Sequence, residues 1–316
     1  MENETILITG ASGSWGNELI KQLLTTNVKE IRSFARGEFA QVMLARKFND
    51  PRLKIIIGDV RDYSAVNEAC QDVTTLYHLA ATKHLPICEQ QPEEAIKTNI
   101  NGTINIIKAA IGQNVGKVVD VSTDKSCDPH SLYGATKLVG EKLVLNANKY
   151  GKTRFVCIRS GNVLATQGSC LPLFIQQINT TNNILVTDRT MTRYFITLPE
   201  AISLLLTASN AEEGNLFVTK MPSCTIGDLA EVVKTKFGNA GTTITEIGNR
   251  GSEKIHEKLI NSTEAVNTYV YSPEYYVISD KPLNLPKVTF KEYGSNTQEL
   301  MNAEQIEDML RAGGFL

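Results

Sequence analysis

Asp124 and Lys125, which close the run Ser122-Thr123-Asp124-Lys125, are followed by Tyr133 and then Lys137. Tyr133 and Lys137 stand four positions apart. On a helix that spacing puts both side chains on one face, where the ammonium lowers the pKa of the phenol. A tyrosine so placed can take a proton. Bringing a phenol from about 10 to about 7 needs roughly 4 kcal/mol of differential stabilisation, which a neighbouring cation and the charge of a bound cofactor together can supply. Asp124 and Lys125 add a second proton-transfer pair. A simple alcohol oxidation does not need it, so the second pair points to chemistry beyond the movement of a hydride. The plainer alternative for these two residues is an ion pair at a strand end.

Short β-branched runs alternating with amphipathic stretches must position these groups. The pattern predicts strands at Thr5–Thr9, Glu30–Phe34, Leu53–Ile57, Thr75–Leu79, Lys117–Val121 and Thr153–Ile158, with helices between them. This βαβ rhythm predicts an α/β fold, a Rossmann-type doubly wound parallel sheet. Ala201–Ser209 reads as a further helix and Asn215–Thr219 as a strand returning to the sheet. The alternation lapses in 163–197 and 220–316, which predicts a smaller interleaved unit beside a larger one made of 1–162 and 198–219. Asn302–Arg311 has the pattern of a closing surface helix with an Asn cap.

Gly10, Gly13 and Gly16 form a glycine-rich turn between the first strand and a helix with Leu19, Ile20 and Leu23 on its apolar face. Such a turn lets backbone amides approach a pyrophosphate, whose charge the helix N-terminus favours. The end of the second strand, Phe34-Ala35-Arg36-Gly37-Glu38, carries an arginine suited to a 2′-phosphate. Arg36 therefore favours NADP, with Arg46 and Lys47 as helpers, while Glu38 keeps NAD as the alternative. Asp59 and Val60 follow the third strand, where they can bind the adenine edge, and the small Ala80 and Ala81 leave room for the middle of the cofactor.

A chain of 316 residues, 42% hydrophobic and 21% charged, can bury a large core. Its formal charge of −2 gives no electrostatic case for nucleic acid or an anionic membrane surface. The six cysteines show no C-x-x-C spacing and the four histidines do not cluster with them, so neither a disulfide framework nor a metal site is expected. No leader pattern precedes the first strand and no apolar run approaches the ~20 residues of a membrane helix, which makes the cytoplasm the expected compartment. Ile104, Ile106 and Ile107, with Ala201–Leu206, read as helix faces that pack on the sheet or form a subunit interface.

These residues resemble the extended short-chain dehydrogenase/reductases, and within them the UDP-N-acetylglucosamine 4,6-dehydratases of bacterial surface-sugar pathways. The likeness runs over nearly the whole chain. It rests on Thr9-Gly10-Ala11-Ser12-Gly13-Ser14-Trp15-Gly16, Gly58-Asp59-Val60-Arg61-Asp62, His78-Leu79-Ala80-Ala81-Thr82-Lys83-His84, the Ser122–Lys125 run with Tyr133-Gly134-Ala135-Thr136-Lys137, and Arg159-Ser160-Gly161-Asn162-Val163. Met191-Thr192-Arg193 and Arg250-Gly251-Ser252-Glu253-Lys254-Ile255-His256-Glu257 extend it. Three departures stand against it: Ser160 where an aromatic is usual, Gln167 where a basic residue is expected, and Gly37 within the usual Arg-Asp-Glu.

The resemblance implies that Tyr133 accepts the proton of the sugar's 4-hydroxyl while hydride passes to the nicotinamide, with Lys137 supporting the phenolate. The resulting ketone acidifies the hydrogen on carbon 5. Lys125 would remove it and Asp124 would protonate the departing 6-hydroxyl, which requires a neutral lysine and a protonated aspartic acid. Hydride would return to carbon 6, leaving a 4-keto-6-deoxy sugar and no net redox change. The resemblance further implies that Ser12, Ser14, Trp15 and Asn99 contact the cofactor. It puts Lys83, His84, Asn162, Arg193, Arg250 and Glu253 on UDP-N-acetylglucosamine, which gives 163–197 and 220–316 the nucleotide-sugar role. A homo-oligomer is expected from the same likeness. A UDP-hexose 4-epimerase using Tyr133 and Lys137 alone, and a non-catalytic NADP-sensing protein, are the alternatives.

Overall fold

The computed structural model describes residues 3–164, 166, 169–211, 216–248, 251 and 253–316. The predicted strands form: β1 (Thr5–Thr9), β2 (Glu30–Ala35), β3 (Leu53–Ile57), β4 (Thr75–His78), β5 (Lys117–Thr123) and β6 (Arg154–Ser160). All of β1, Thr-Ile-Leu-Ile-Thr, is buried, as a central parallel strand covered on both faces must be. Among the described residues the main sheet has nine strands, in the order Thr268–Val270, Tyr275–Ile278, Leu216–Thr219, β6, β5, β4, β1, β2, β3. Leu216–Thr219 and β6 through β3 run parallel, so the chain direction across the sheet reverses between β1 and β4. At that switch point the C-terminal ends of the strands open a crevice for a ligand.

Helices cover both faces. One apolar layer joins Leu19, Ile20 and Leu23 of the first helix to Ile202 and Leu205 of Leu198–Ser209. The other joins Val66, Ile106, Ala109 and Val144 from the helices Tyr63–Ala69, Gly102–Gly112 and Leu132–Ala147. Ile106, Ala201, Ile202 and Leu205 therefore serve the core of this chain. A third cluster gathers Phe174 and Ile178 of Cys170–Thr181, Leu229 and Val233 of Ile226–Phe237, and Ile306 and Leu310 of Ala303–Ala312. The last helix has the expected Asn302 cap, reciprocated by Gln305.

The antiparallel pair Thr268–Val270 and Tyr275–Ile278 extends the main sheet past Leu216–Thr219. The sequence pattern put these residues with the smaller unit, because strands of three and four residues show too little alternation to reveal which sheet they join.

Gly10 ties β1 to β4. Its φ is +68°, and a Cβ there would lie 2.8 Å from the Ala80 nitrogen. Gly10→Ala is therefore expected to destabilise the protein by about 2–4 kcal/mol, from left-handed strain and backbone overlap together. Urea unfolding checks it; a loss below about 1 kcal/mol would mean that the turn relaxes around a methyl group.

Candidate active site

A cleft of about 860 Å³ lies along the strand ends. One half is lined by Gly10, Ser12, Gly13, Ser14, Trp15, Arg36, Asp59, Val60, Ala80 and Ala81. The other half holds Lys83, His84, Asn162, Arg193 and Glu253, and Lys125, Tyr133 and Lys137 lie between. Gly16 is buried against the Ala11 backbone instead, and Arg250 lies outside the described residues.

The glycine turn fits a pyrophosphate. Gly13 caps the helix Ser14–Leu24 in extended backbone with no side-chain cap and no acidic residue in the first turn, so the helix N-terminus presents amides and no competing charge. Asn17 Nδ2 donates to the carbonyls of Ser12 and Gly13 and holds the turn in shape. At the end of β2 the Arg36 guanidinium is 60% exposed and 3.9 Å from Asp59. Burial disfavours the charge of Asp59, but hydrogen bonds from Arg61 outweigh it and hold the carboxyl below its usual range. Lys47 is engaged by Asn17 Oδ1 at 3.2 Å.

Asn99 faces elsewhere. Its amide bonds Thr82 N, Thr82 O and Thr136 Oγ1 at 2.8, 2.9 and 3.0 Å, fastening the strand-end loop to the helix Leu132–Ala147. In the protein alone it positions the cleft wall.

Ser131 caps that helix by accepting from Gly134 N, which sets Tyr133 in the first turn and Lys137 one turn below it. Gly134 has no room for a side chain: a Cβ would fall on the Lys125 carbonyl, so the helix packs directly on the Asp124–Ser126 turn. Lys125 Nζ donates to Asp124 Oδ1 at 2.9 Å and Asn162 Oδ1 at 3.2 Å. Asp124 is fully buried behind Lys125, with Oδ1 also accepting from Thr123 Oγ1 and Oδ2 without a hydrogen-bond partner among the described residues.

The protonation states differ from those expected. Burial raises the pKa of Tyr133; Lys137 and Lys125 pull it down but do not overcome the lost hydration of the phenolate. Burial lowers the pKa of Lys137, but Asp120, 3.6 Å away, overcomes it together with Tyr133, Cys157 and Glu141 and holds the ammonium above its ordinary range. For Lys125, burial lowers the pKa, but Asp124 and Glu257 together overcome it and keep the side chain cationic. With the protein's own groups alone, Lys125 is an ammonium that donates to Asp124.

Sequence reasoning missed Asp120 and Glu257. Asp120 is detectable in hindsight as the carboxylate within the otherwise apolar Val118-Val119-Asp120-Val121. Glu257 lies in an irregular segment that offers no periodicity. Arg193 is buried, and its terminal nitrogens donate to the carbonyls of Thr192, Lys254 and Ile255, so it holds the segment that carries Glu257. Lys83 is exposed at the cleft, where partial loss of hydration lowers the pKa of its ammonium. His84 is exposed at the start of Leu85–Gln90, and His256 is paired with Thr192 Oγ1 at 2.9 Å.

Under the site, Arg159 is fully buried between Glu141 and Glu264, at 2.6 and 2.8 Å. Ser122 Oγ donates to the same Glu141, and Ser126 Oγ donates to the Thr123 carbonyl. This network joins β5, β6, the helix Leu132–Ala147 and the segment Ser262–Ala265 directly beneath the Asp124–Ser126 turn.

His78, between Thr9 and Thr103, is held neutral by burial, with a pKa lowered to about 4. The unfolded imidazole protonates near about 6.5. Its contribution to stability is thus complete above that pH and is lost as pH falls, by about 3 kcal/mol when about pH 4 is reached. Urea unfolding at about pH 7 and about pH 4.5 should show less acid loss in His78→Gln than in the parent. Equal losses would contradict this.

All six cysteines are free. Among the described residues, no group of His, Cys, Asp and Glu could hold a metal ion, and no helix is long and apolar enough to cross a membrane.

A family model described as polysaccharide biosynthesis protein matches residues 6–279. An uncharacterized membrane protein of Methanocaldococcus jannaschii is 38% identical, over 100% of this chain and 97% of its own length. A UDP-glucose 4-epimerase of Rickettsia felis is 35% identical, over 98% of this chain and 95% of its own. Among solved structures, Pen from Bacillus thuringiensis superposes with a TM-score of 0.94 at 35% identity, covering 100% of this chain and 99% of that one. With this fold, a pyrophosphate cradle at the switch point and the Tyr133–Lys137 pair in the cleft, the chain belongs to the polysaccharide biosynthesis protein family, as an extended short-chain dehydrogenase/reductase of the nucleotide-sugar epimerase and dehydratase kind.

Proposed function

We propose that the protein is a UDP-N-acetylglucosamine 4,6-dehydratase that uses NADP. The observation that carries the reading is Lys125, facing the same cleft as Tyr133 with Asp124 hydrogen-bonded behind it at 2.9 Å. An exposed guanidinium at the end of β2 supports the preference for a 2′-phosphate. The glycine turn and the N-terminus of the helix Ser14–Leu24 would hold the dinucleotide, and its oxidised nicotinamide would supply a hydride acceptor, later a donor, and a positive charge within the cleft. Tyr133 takes the 4-hydroxyl proton once that charge, added to Lys137 and Lys125, brings the phenol into range.

The Asp124–Lys125 pair becomes competent without gaining or losing a proton. Transfer across their hydrogen bond turns ammonium and carboxylate into amine and carboxylic acid, the base and acid that elimination requires. A sugar that seals the cleft expels water, and low dielectric favours the neutral pair. The Lys125 amine then takes the proton of carbon 5, the electron pair of that bond forms the double bond to carbon 6, and the 6-hydroxyl leaves as water with the proton of Asp124. The ion pair is thereby restored.

A UDP-hexose 4-epimerase is the second reading, favoured by the name of the Rickettsia relative and by a Tyr133–Lys137 couple that suffices for it. Incubation with UDP-N-acetylglucosamine and mass analysis of the product separate the two. Loss of one water supports dehydration; an isomer of unchanged mass supports epimerisation and overturns the first reading.

A further inference from the structure

We propose that Glu257 is a specificity-determining residue whose carboxylate receives a hydrogen-bond donor, a hydroxyl or amide N–H, of the reacting hexose; this rests on the reading that the cleft takes a nucleotide sugar. Glu257 lines the cleft at 3% exposure, and its Oε2 has no hydrogen-bond partner among the described residues. Two ammonium groups lie near the carboxylate, Lys125 at 3.9 Å from Oε1 and Lys254 at 3.6 Å from Oε2, both beyond hydrogen-bond reach. Each is directed elsewhere: Lys125 to Asp124 and Asn162, Lys254 to the Cys127 carbonyl.

The backbone leaves Glu257 little choice of direction. Its N–H donates to Ser295 Oγ at 3.0 Å and its carbonyl accepts from Ser295 N at 2.7 Å, while neighbouring His256 bridges to Thr192. A buried carboxylate oxygen without a donor is unfavourable, and a fold that retains one facing a cleft has a donor to supply from the ligand. Proximity to Lys125 puts that donor on the hexose, where the reacting carbons lie, and away from the nucleoside.

The test uses the full chain with its dinucleotide in a Tyr133→Phe background, so that binding is read without turnover. Calorimetric titration with UDP and with UDP-N-acetylglucosamine is compared before and after Glu257→Gln. The proposal predicts that affinity for UDP-N-acetylglucosamine falls about tenfold to hundredfold while that for UDP changes less than about twofold. Glu257→Asp, which keeps the charge, should recover part of the loss, and unchanged UDP affinity reports an intact fold. Equal losses for both probes, or no loss for either, overturn the proposal but leave dehydration standing, because water loss is read from product mass in the unmodified enzyme. If neither probe binds before Glu257 is changed, the nucleotide-sugar reading falls and the proposal with it.

Discussion

Lys125→Arg should retain UDP-sugar binding within about tenfold and lose water elimination by about a thousandfold or more, the scale of a general base in its reaction. The substitution keeps a cation beside Asp124 and Glu257, so the buried carboxylates stay answered and the fold stands. A guanidinium, however, does not give up its proton to become a base. Lys125→Ala should abolish elimination equally with the dinucleotide still bound, because the cradle of Gly10, Gly13 and Arg36 is elsewhere in the cleft. Product mass and titration with UDP give the two readouts. Turnover of the arginine variant within about tenfold of the parent would remove Lys125 from the chemistry.

Arg159→Met should cost about 3–5 kcal/mol of stability, the largest loss expected from one substitution here. It strands Glu141, which is fully buried, and leaves the mostly buried Glu264 without its guanidinium partner. Burial raises the Glu264 pKa, but Arg159 overcomes it and holds the carboxyl below its usual range, so this part of the stability is present near neutral pH and lost as pH falls. Adding Glu141→Gln and Glu264→Gln to the methionine variant should recover most of the loss, since the cost lies in uncompensated charge. Urea unfolding of the single and triple variants checks both statements. A single-variant loss below about 1 kcal/mol, or no recovery in the triple variant, would contradict them.

The sheet was legible because its strands are short runs rich in β-branched and apolar residues. Thr5–Thr9 and Leu53–Ile57 form with the predicted boundaries, and the other four predicted strands of the first half differ by one or two residues at their ends. Once the strands are placed, Gly10, Arg36, Ala80 and Lys125 must gather along one edge, because each follows a strand that runs the same way. Side-chain direction was less legible. Asn99 lies in the expected helical region but spends its amide on Thr82 and Thr136. Arg193 reaches the cleft while serving three carbonyls.

Protonation states were least legible of all. A spacing of four residues brings Lys137 to Tyr133 but does not show Asp120 sharing its charge, and adjacency of Asp124 to Lys125 does not show Glu257 on the other side. Those partners come from distant segments, and whether burial or attraction prevails depends on separations that only the fold supplies.

The central claim is that the Lys125 amine takes the proton from carbon 5 of a sugar already oxidised at carbon 4. Turnover of UDP-N-acetylglucosamine in heavy water, followed by NMR of the product, tests it most directly. The account predicts a 4-keto-6-deoxy sugar carrying solvent deuterium at carbon 5, with the hydrogen delivered to carbon 6 coming from carbon 4 of the substrate. A product that retains its 6-hydroxyl and carries no deuterium at carbon 5 would contradict it.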